Sequence, residues 1–97
     1  MSYRLWWRWN DGVSGHVWLS EGDVDRLAQE MERHGSWELA VRIAAVKTEA
    51  TITPQEVTRA LERLPPVPTQ LEDTELWGDW LDFLAGAEQK GGLLVRR

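Results

Sequence analysis

Apolar and polar residues alternate between Tyr3 and Leu19, and four of the seven tryptophans fall in this stretch. Two alternating runs, rich in aromatic and β-branched residues, flank Asn10-Asp11-Gly12, which is the composition of strands around a turn. The pattern predicts an antiparallel β-hairpin with strands over about residues 3–9 and 13–19.

The length of the turn decides which side chains share a face of the hairpin. We predict a three-residue loop, a type I turn followed by Gly12 in the left-handed region, because this register collects the apolar residues on one side. That side, which we expect to lie in the core, contains Tyr3, Leu5, Trp7, Trp9, Val13, Val17 and Leu19. The other side contains Ser14 and five residues that we call the Trp/Arg face: Arg4, Trp6, Arg8, His16 and Trp18.

Beyond the hairpin, apolar residues recur at spacings of three and four, which is typical of amphipathic helices. Ser20 is a suitable N-cap for the first helix and Gly35 a suitable stop, while Thr53 and Glu56 form a capping box for the third. The predicted helices cover about residues 21–34, 36–49, 54–64 and 74–89.

The helix over 36–49 depends on Leu39, Ile43 and Val46, and a strand over 37–46 is the alternative for the same residues. In the last helix, Gly78 and Gly86 are expected to allow close packing, for example of a tryptophan ring against the backbone.

Residues 93–96 are predicted to form a short strand that joins the hairpin sheet, because a two-stranded hairpin alone is marginally stable. Strands at both ends of the chain with helices between them indicate an α+β fold. At this length, we expect residues 1–97 to form a single domain.

The composition of the chain is that of a globular protein rather than of a disordered or membrane-spanning one. A hydrophobic fraction of 42% and a charged fraction of 28% are typical of a globular chain. Cysteine is absent, no apolar run is long enough for a bilayer, and the first residues lack the apolar block of a signal peptide. These features predict a cytoplasmic protein without a membrane partner. The preference for arginine over lysine is a compositional hint of a bacterial, GC-rich source.

The formal net charge of −5 is unevenly distributed, since residues 72–88 contain six acids and no base. An acidic chain disfavours duplex nucleic acid, whose affinity comes largely from neutralised phosphates. Glu75, Asp79 and Asp82 share one face of the last helix, which is typical of a solvated surface and suits a basic protein partner.

The sequence contains no recognisable catalytic, metal or nucleotide motif. Its two histidines, His16 and His34, have neither the spacing nor the companion ligands of a metal site. No glycine-rich phosphate loop or nucleophile motif is present. We therefore predict no cofactor, no metal and no catalytic residues.

The Trp/Arg face has three interpretations. In the first interpretation, helices cover this face and its tryptophans belong to the core. Alternatively, it is a protein interface, including self-association in a homodimer, because tryptophan and arginine dominate binding hot spots. The third is a stacking platform for single-stranded nucleic acid, which the overall acidity disfavours.

The function that we predict is a small acidic, non-enzymatic interaction module (a regulator, immunity-like protein or subunit), with a small ligand-binding domain or enzyme as a further alternative. Its candidate interface combines the Trp/Arg face with Glu75, Asp79 and Asp82.

Overall fold

The computed structural model describes residues 2–9 and 15–97, which form an α+β fold of a four-stranded antiparallel sheet and four helices. In chain order the elements are β1 (Ser2–Trp7), β2 (His16–Ser20), α1 (Glu21–Arg33), α2 (Trp37–Ala44), β3 (Glu49–Ile52), α3 (Pro54–Leu61), α4 (Thr74–Gln89) and β4 (Leu93–Arg96). The predicted fold class is confirmed.

The order of strands in the sheet is β2-β1-β4-β3. Leu5 lies opposite Val17, and the backbone N–H of Trp7 donates to the carbonyl of Gly15 at 2.8 Å. This is the register that the three-residue loop predicts, although the turn itself, residues 10–14, lies outside the described part of the chain. The strand predicted at 93–96 is confirmed, and it pairs with β1 as expected.

The first hairpin strand ends at Trp7, two residues before its predicted end. After β1, the backbone N–H groups of Arg8 and Trp9 donate to the carbonyls of Gly92 and Lys90, each at 3.0 Å. Trp9 is therefore held against the turn that follows α4, where its ring contacts Gly91. Its side chain is 68% exposed, so the prediction that Trp9 lies in the core is wrong.

The helix predicted over 36–49 is correct only in its first half. The observed helix, α2, ends at Ala44, and residues 49–52 form an unpredicted strand, β3, at the edge of the sheet. The alternative, a strand over 37–46, is also wrong. Burial in β3 has a period of two, which outweighs the weak helical pattern there: Ala50 and Ile52 pack on the core, whereas Glu49 and Thr51 are exposed.

The predicted caps are confirmed. The Ser20 hydroxyl accepts from the backbone N–H of Asp23 at 3.0 Å, and the capping box of Thr53 and Glu56 is complete. The last helix keeps its predicted bounds, whereas α3 ends at Leu61 rather than at residue 64. The chain turns there before Pro65, which cannot continue a helix.

All four helices contribute to one core on the inner face of the sheet, where Tyr3, Leu5, Leu93 and Val95 are buried. Three tryptophans in or beside this core satisfy their indole N–H groups, as buried indoles require. The acceptors are the Phe83 carbonyl for Trp7, the Pro65 carbonyl for Trp77 and the Met31 sulfur for Trp80.

The Trp7 ring packs closely against two glycines, Gly15 and Gly86. A Cβ atom on Gly15 would lie 2.2 Å from the ring, and one on Gly86 would lie 1.9 Å from it. The expectation of close packing is thus confirmed for Gly86 and wrong for Gly78, where a Cβ would meet nothing within 4 Å. Because the Trp7 ring lies directly against the backbone of α4 at Gly86, it sets the distance between this helix and β1.

Candidate functional site

None of the four described helices covers the outer face of the sheet. Trp18 is 54% exposed, Arg4, Arg8 and His16 are exposed, and Trp6 is half-buried. The core lies on the inner face, so the interpretation that helices cover the Trp/Arg face is wrong. Pairing of β1 with β2 brings Arg4, Trp6, His16 and Trp18 together, whereas Arg8 is exposed just after the end of β1.

The aromatic residues of this face form a continuous row of contacts. The guanidinium carbon of Arg4 lies 4.4 Å from the centroid of the Trp18 ring, a cation–π contact. His16 lies between two tryptophans, with ring centroids 5.8 Å from Trp18 and 6.0 Å from Trp6. The pairs of Arg4 with Trp18 and Trp6 with His16 follow from the predicted register.

Strands β4 and β3 extend the outer face with residues that the sequence analysis missed. Arg96 lies opposite Arg4, and Leu94 lies opposite Trp6. On the far side of β4, Glu49 lies opposite Arg96 and Thr51 opposite Leu94. Alternation along 93–96 shows that Leu94 and Arg96 share a face, but the pairing of β4 with β1 was needed to bring them beside Arg4 and Trp6.

Arg4, Arg8 and Arg96 have no acidic partner within residues 2–9 and 15–97. Among the residues that the structure describes, no carboxylate oxygen lies within 4.0 Å of a side-chain nitrogen of Arg4, Arg8 or Arg96. Four arginines elsewhere do form ion pairs: Arg26 with Asp23, Arg42 with Glu56, Arg59 with Glu38 and Arg97 with Glu21. Within the described part of the chain, these arginines therefore carry positive charge with no carboxylate paired to it.

The acids predicted to accompany this face lie elsewhere. Glu75, Asp79 and Asp82 are exposed on α4, as expected for a solvated helix face. However, α4 packs on the inner side of the sheet, where Phe83 contacts Trp7. The structure does not bring these three acids together with the Trp/Arg face.

A groove of about 700 Å³ lies between α2 and α3 and is lined in part by Trp37 and Val41, both exposed. Its two acids are engaged, because Glu38 pairs with Arg59 at 3.4 Å and Glu56 pairs with Arg42 at 3.7 Å. His16 is not part of its lining. Both carboxylates that line the groove are thus held in ion pairs with arginines.

Glu30 is a buried carboxylate, only 1% exposed, that joins α1 to the segment before α4. One oxygen accepts from the N–H and hydroxyl of Thr69, each at 2.9 Å, and from His34 Nε2 at 2.7 Å. The other accepts from the N–H groups of Gln70 at 3.0 Å and Leu71 at 2.9 Å. Sequence analysis missed this residue because a single glutamate on a helix carries no signal of burial.

Burial by itself would raise the pKa of Glu30, but the hydrogen bonds from Thr69, Gln70, His34 and Leu71 outweigh it. Together they lower the pKa to about 2. A carboxylate with its lone pairs occupied and its proton affinity reduced is a poor general base. Glu30 is therefore a structural anchor.

Within residues 2–9 and 15–97, no group of three or more potential ligands is placed to hold a metal ion. None of the helices in those ranges combines the length and apolar character needed to cross a bilayer. Comparisons with protein-family models, curated proteins and solved structures found no match for this chain.

Proposed function

We propose that this chain is a non-enzymatic interaction protein that binds a protein partner through the outer face of its sheet. The observation that carries the proposal is the exposure of Trp18, with the half-buried Trp6 and two arginines near it, on a face that none of the described helices covers. Tryptophan and arginine are the residue types that contribute most to binding hot spots. An exposed aromatic cluster rimmed by polar groups is also typical of interaction sites.

The rigidity of the site supports this role. The residues lie on paired strands rather than on loops, so their spacing is set by the sheet. Contacts among Arg4, Trp18, His16 and Trp6 restrain their side chains before a partner arrives. Preorganised groups lose less conformational entropy on binding. A small cytoplasmic regulator, immunity-like protein or subunit would use such a surface.

Replacement of Trp18 by serine is expected to abolish partner capture without unfolding the protein. The test is affinity capture from an extract of the cells that produce the protein, with protease and nuclease treatment of the bound material. The matched control is Trp37→Ser, because Trp37 is 59% exposed but lies on α2, outside the sheet. Both substitutions should change the free energy of unfolding by less than about 1 kcal/mol, since both side chains are exposed.

A protease-sensitive species retained by the wild type and the Trp37→Ser variant, but not by Trp18→Ser, is the expected result. Size-exclusion chromatography with light scattering on the same variants shows whether that partner is a second copy. Equal retention by the Trp18→Ser variant would contradict the proposal.

Single-stranded nucleic acid is the second candidate, favoured by the row of three aromatic rings on an open antiparallel sheet. Nucleic-acid binding predicts that oligothymidylate quenches tryptophan fluorescence at low salt. The quenching should be smaller in the Trp18→Ser variant and should weaken when salt is added. Because the chain has a net charge of −5, we expect no quenching. Saturable, salt-sensitive quenching would instead favour nucleic acid as the ligand.

A further inference from the structure

We infer that the segment that binds the outer face is an acidic peptide segment of the partner protein, with a carboxylate held between Arg4 and Arg96. This inference rests on the proposed function and adds the chemistry of the partner. Its starting point is the pairing of β1 with β4, which places the two arginines directly opposite each other.

Two like charges directly opposite each other on neighbouring strands destabilise a sheet, because their Cβ atoms lie only about 4.5–5.5 Å apart. Arg4 and Arg96 occupy such positions, and both are exposed. No carboxylate of the described residues lies within 4.0 Å of either guanidinium, even though Glu49 lies opposite Arg96 on β3. A bound carboxylate would relieve the repulsion and accept charge-assisted hydrogen bonds from both guanidinium groups.

The distribution of charge also favours an acidic ligand at this face alone. On the outer face of the described strands, Arg4 and Arg96 stand against the single acid Glu49, whereas the whole chain has a net charge of −5. The exposed acids of α4 lie on the other side of the sheet. An acidic segment is thus attracted by one face of the protein and repelled by another, which orients its approach.

The contacts of Trp18 favour a peptide over a nucleic acid strand. Arg4 already covers the Trp18 ring at 4.4 Å, in the place that a stacked base would need. A strand with one negative charge per nucleotide would also meet repulsion from the rest of an acidic protein. A peptide with a few carboxylates can place its apolar residues on Trp6 and Leu94, which lie side by side in the next row.

The test uses the full chain and isothermal titration calorimetry with three probes. The first is a short capped peptide of glutamate and leucine, the second has glutamine in place of glutamate, and the third is oligothymidylate. The test variant is Arg4→Gln with Arg96→Gln. The control is Arg33→Gln with Lys47→Gln, which removes the same amount of charge from exposed positions outside the sheet.

We expect the glutamate peptide to bind the wild type and the control variant, and to bind the test variant about tenfold or more weakly. Salt should weaken the interaction. In spectra of the indole N–H groups, the signals of Trp6 and Trp18 should move, whereas that of Trp37 should not. This pattern would place the peptide on the outer face.

Equal binding of the glutamine peptide, or an equal loss in the control variant, would overturn the acidic partner and leave the proposed protein-binding function standing. Absence of binding by the glutamate peptide would also overturn the acidic partner. The affinity capture with the Trp18→Ser variant would then decide separately whether the outer face binds a protein. Tighter binding of oligothymidylate through Arg4 and Arg96 would overturn both.

Discussion

Replacement of Glu30 by alanine is expected to lower the free energy of unfolding by about 3 kcal/mol or more. The substitution removes the acceptor for the backbone N–H groups of Thr69, Gln70 and Leu71 and for His34. Those donors lose a charged partner, and the Leu71 N–H is buried. Urea unfolding at neutral pH measures the loss.

The same carboxylate should make stability depend on pH. Its folded pKa of about 2 lies below the ordinary value of 4.5. Its contribution is therefore fully present above about pH 4.5 and is lost as the pH falls toward 2. The shift corresponds to about 3 kcal/mol. This component of the acid sensitivity should be missing when Glu30 is alanine.

Glu32 provides the matched control for both measurements, because it lies two positions along α1 and is exposed. Glu32→Ala should leave the free energy of unfolding and its pH dependence close to those of the wild type. If the two alanine variants unfold alike, Glu30 does not anchor the segment before α4.

Gly86→Ala is expected to destabilise the protein by about 1–3 kcal/mol, although alanine is the better helix former. The added Cβ would lie 1.9 Å from the Trp7 ring, so either the ring or the helix must move. Gly78→Ala, the same change in the same helix, meets nothing within 4 Å and should stabilise by about 0.5–1 kcal/mol. Thermal and urea unfolding of the two variants compare them directly.

Opposite signs for these two changes would show that the Trp7 contact, rather than helix propensity, determines the effect at Gly86. A Gly86→Ala variant as stable as the wild type would mean that the Trp7 ring is not confined in solution.

Much of the fold follows from local patterns in the sequence. Alternation predicts the pairing of Leu5 with Val17, and side-chain chemistry predicts the caps at Ser20 and Thr53, because both depend on near neighbours. The exposure of Trp9 could not be predicted in this way. Its position is set by a backbone hydrogen bond to Lys90, which is distant in sequence. The short strand β3 is stabilised mainly by its pairing with β4, and so it lacks a strong local signal.

The candidate site shows the same division. Alternation places Arg4, Trp6, His16 and Trp18 together, and the structure agrees. Two other properties could not be predicted from the sequence, because they depend on tertiary packing. The four described helices all pack on the inner face, and β4 brings Arg96 beside Arg4. The second property creates the uncompensated pair of charges on which the inferred partner chemistry depends.

The position of β4 in the sheet has a consequence for biosynthesis. This strand lies between β1 and β3, yet it is the last of the eight elements to be made. At about 5–20 residues per second, several seconds separate the synthesis of β3 from that of β4. During that time β3 lacks the strand with which it pairs in the described sheet. The four-stranded sheet can therefore form only after Leu93–Arg96 has been synthesised.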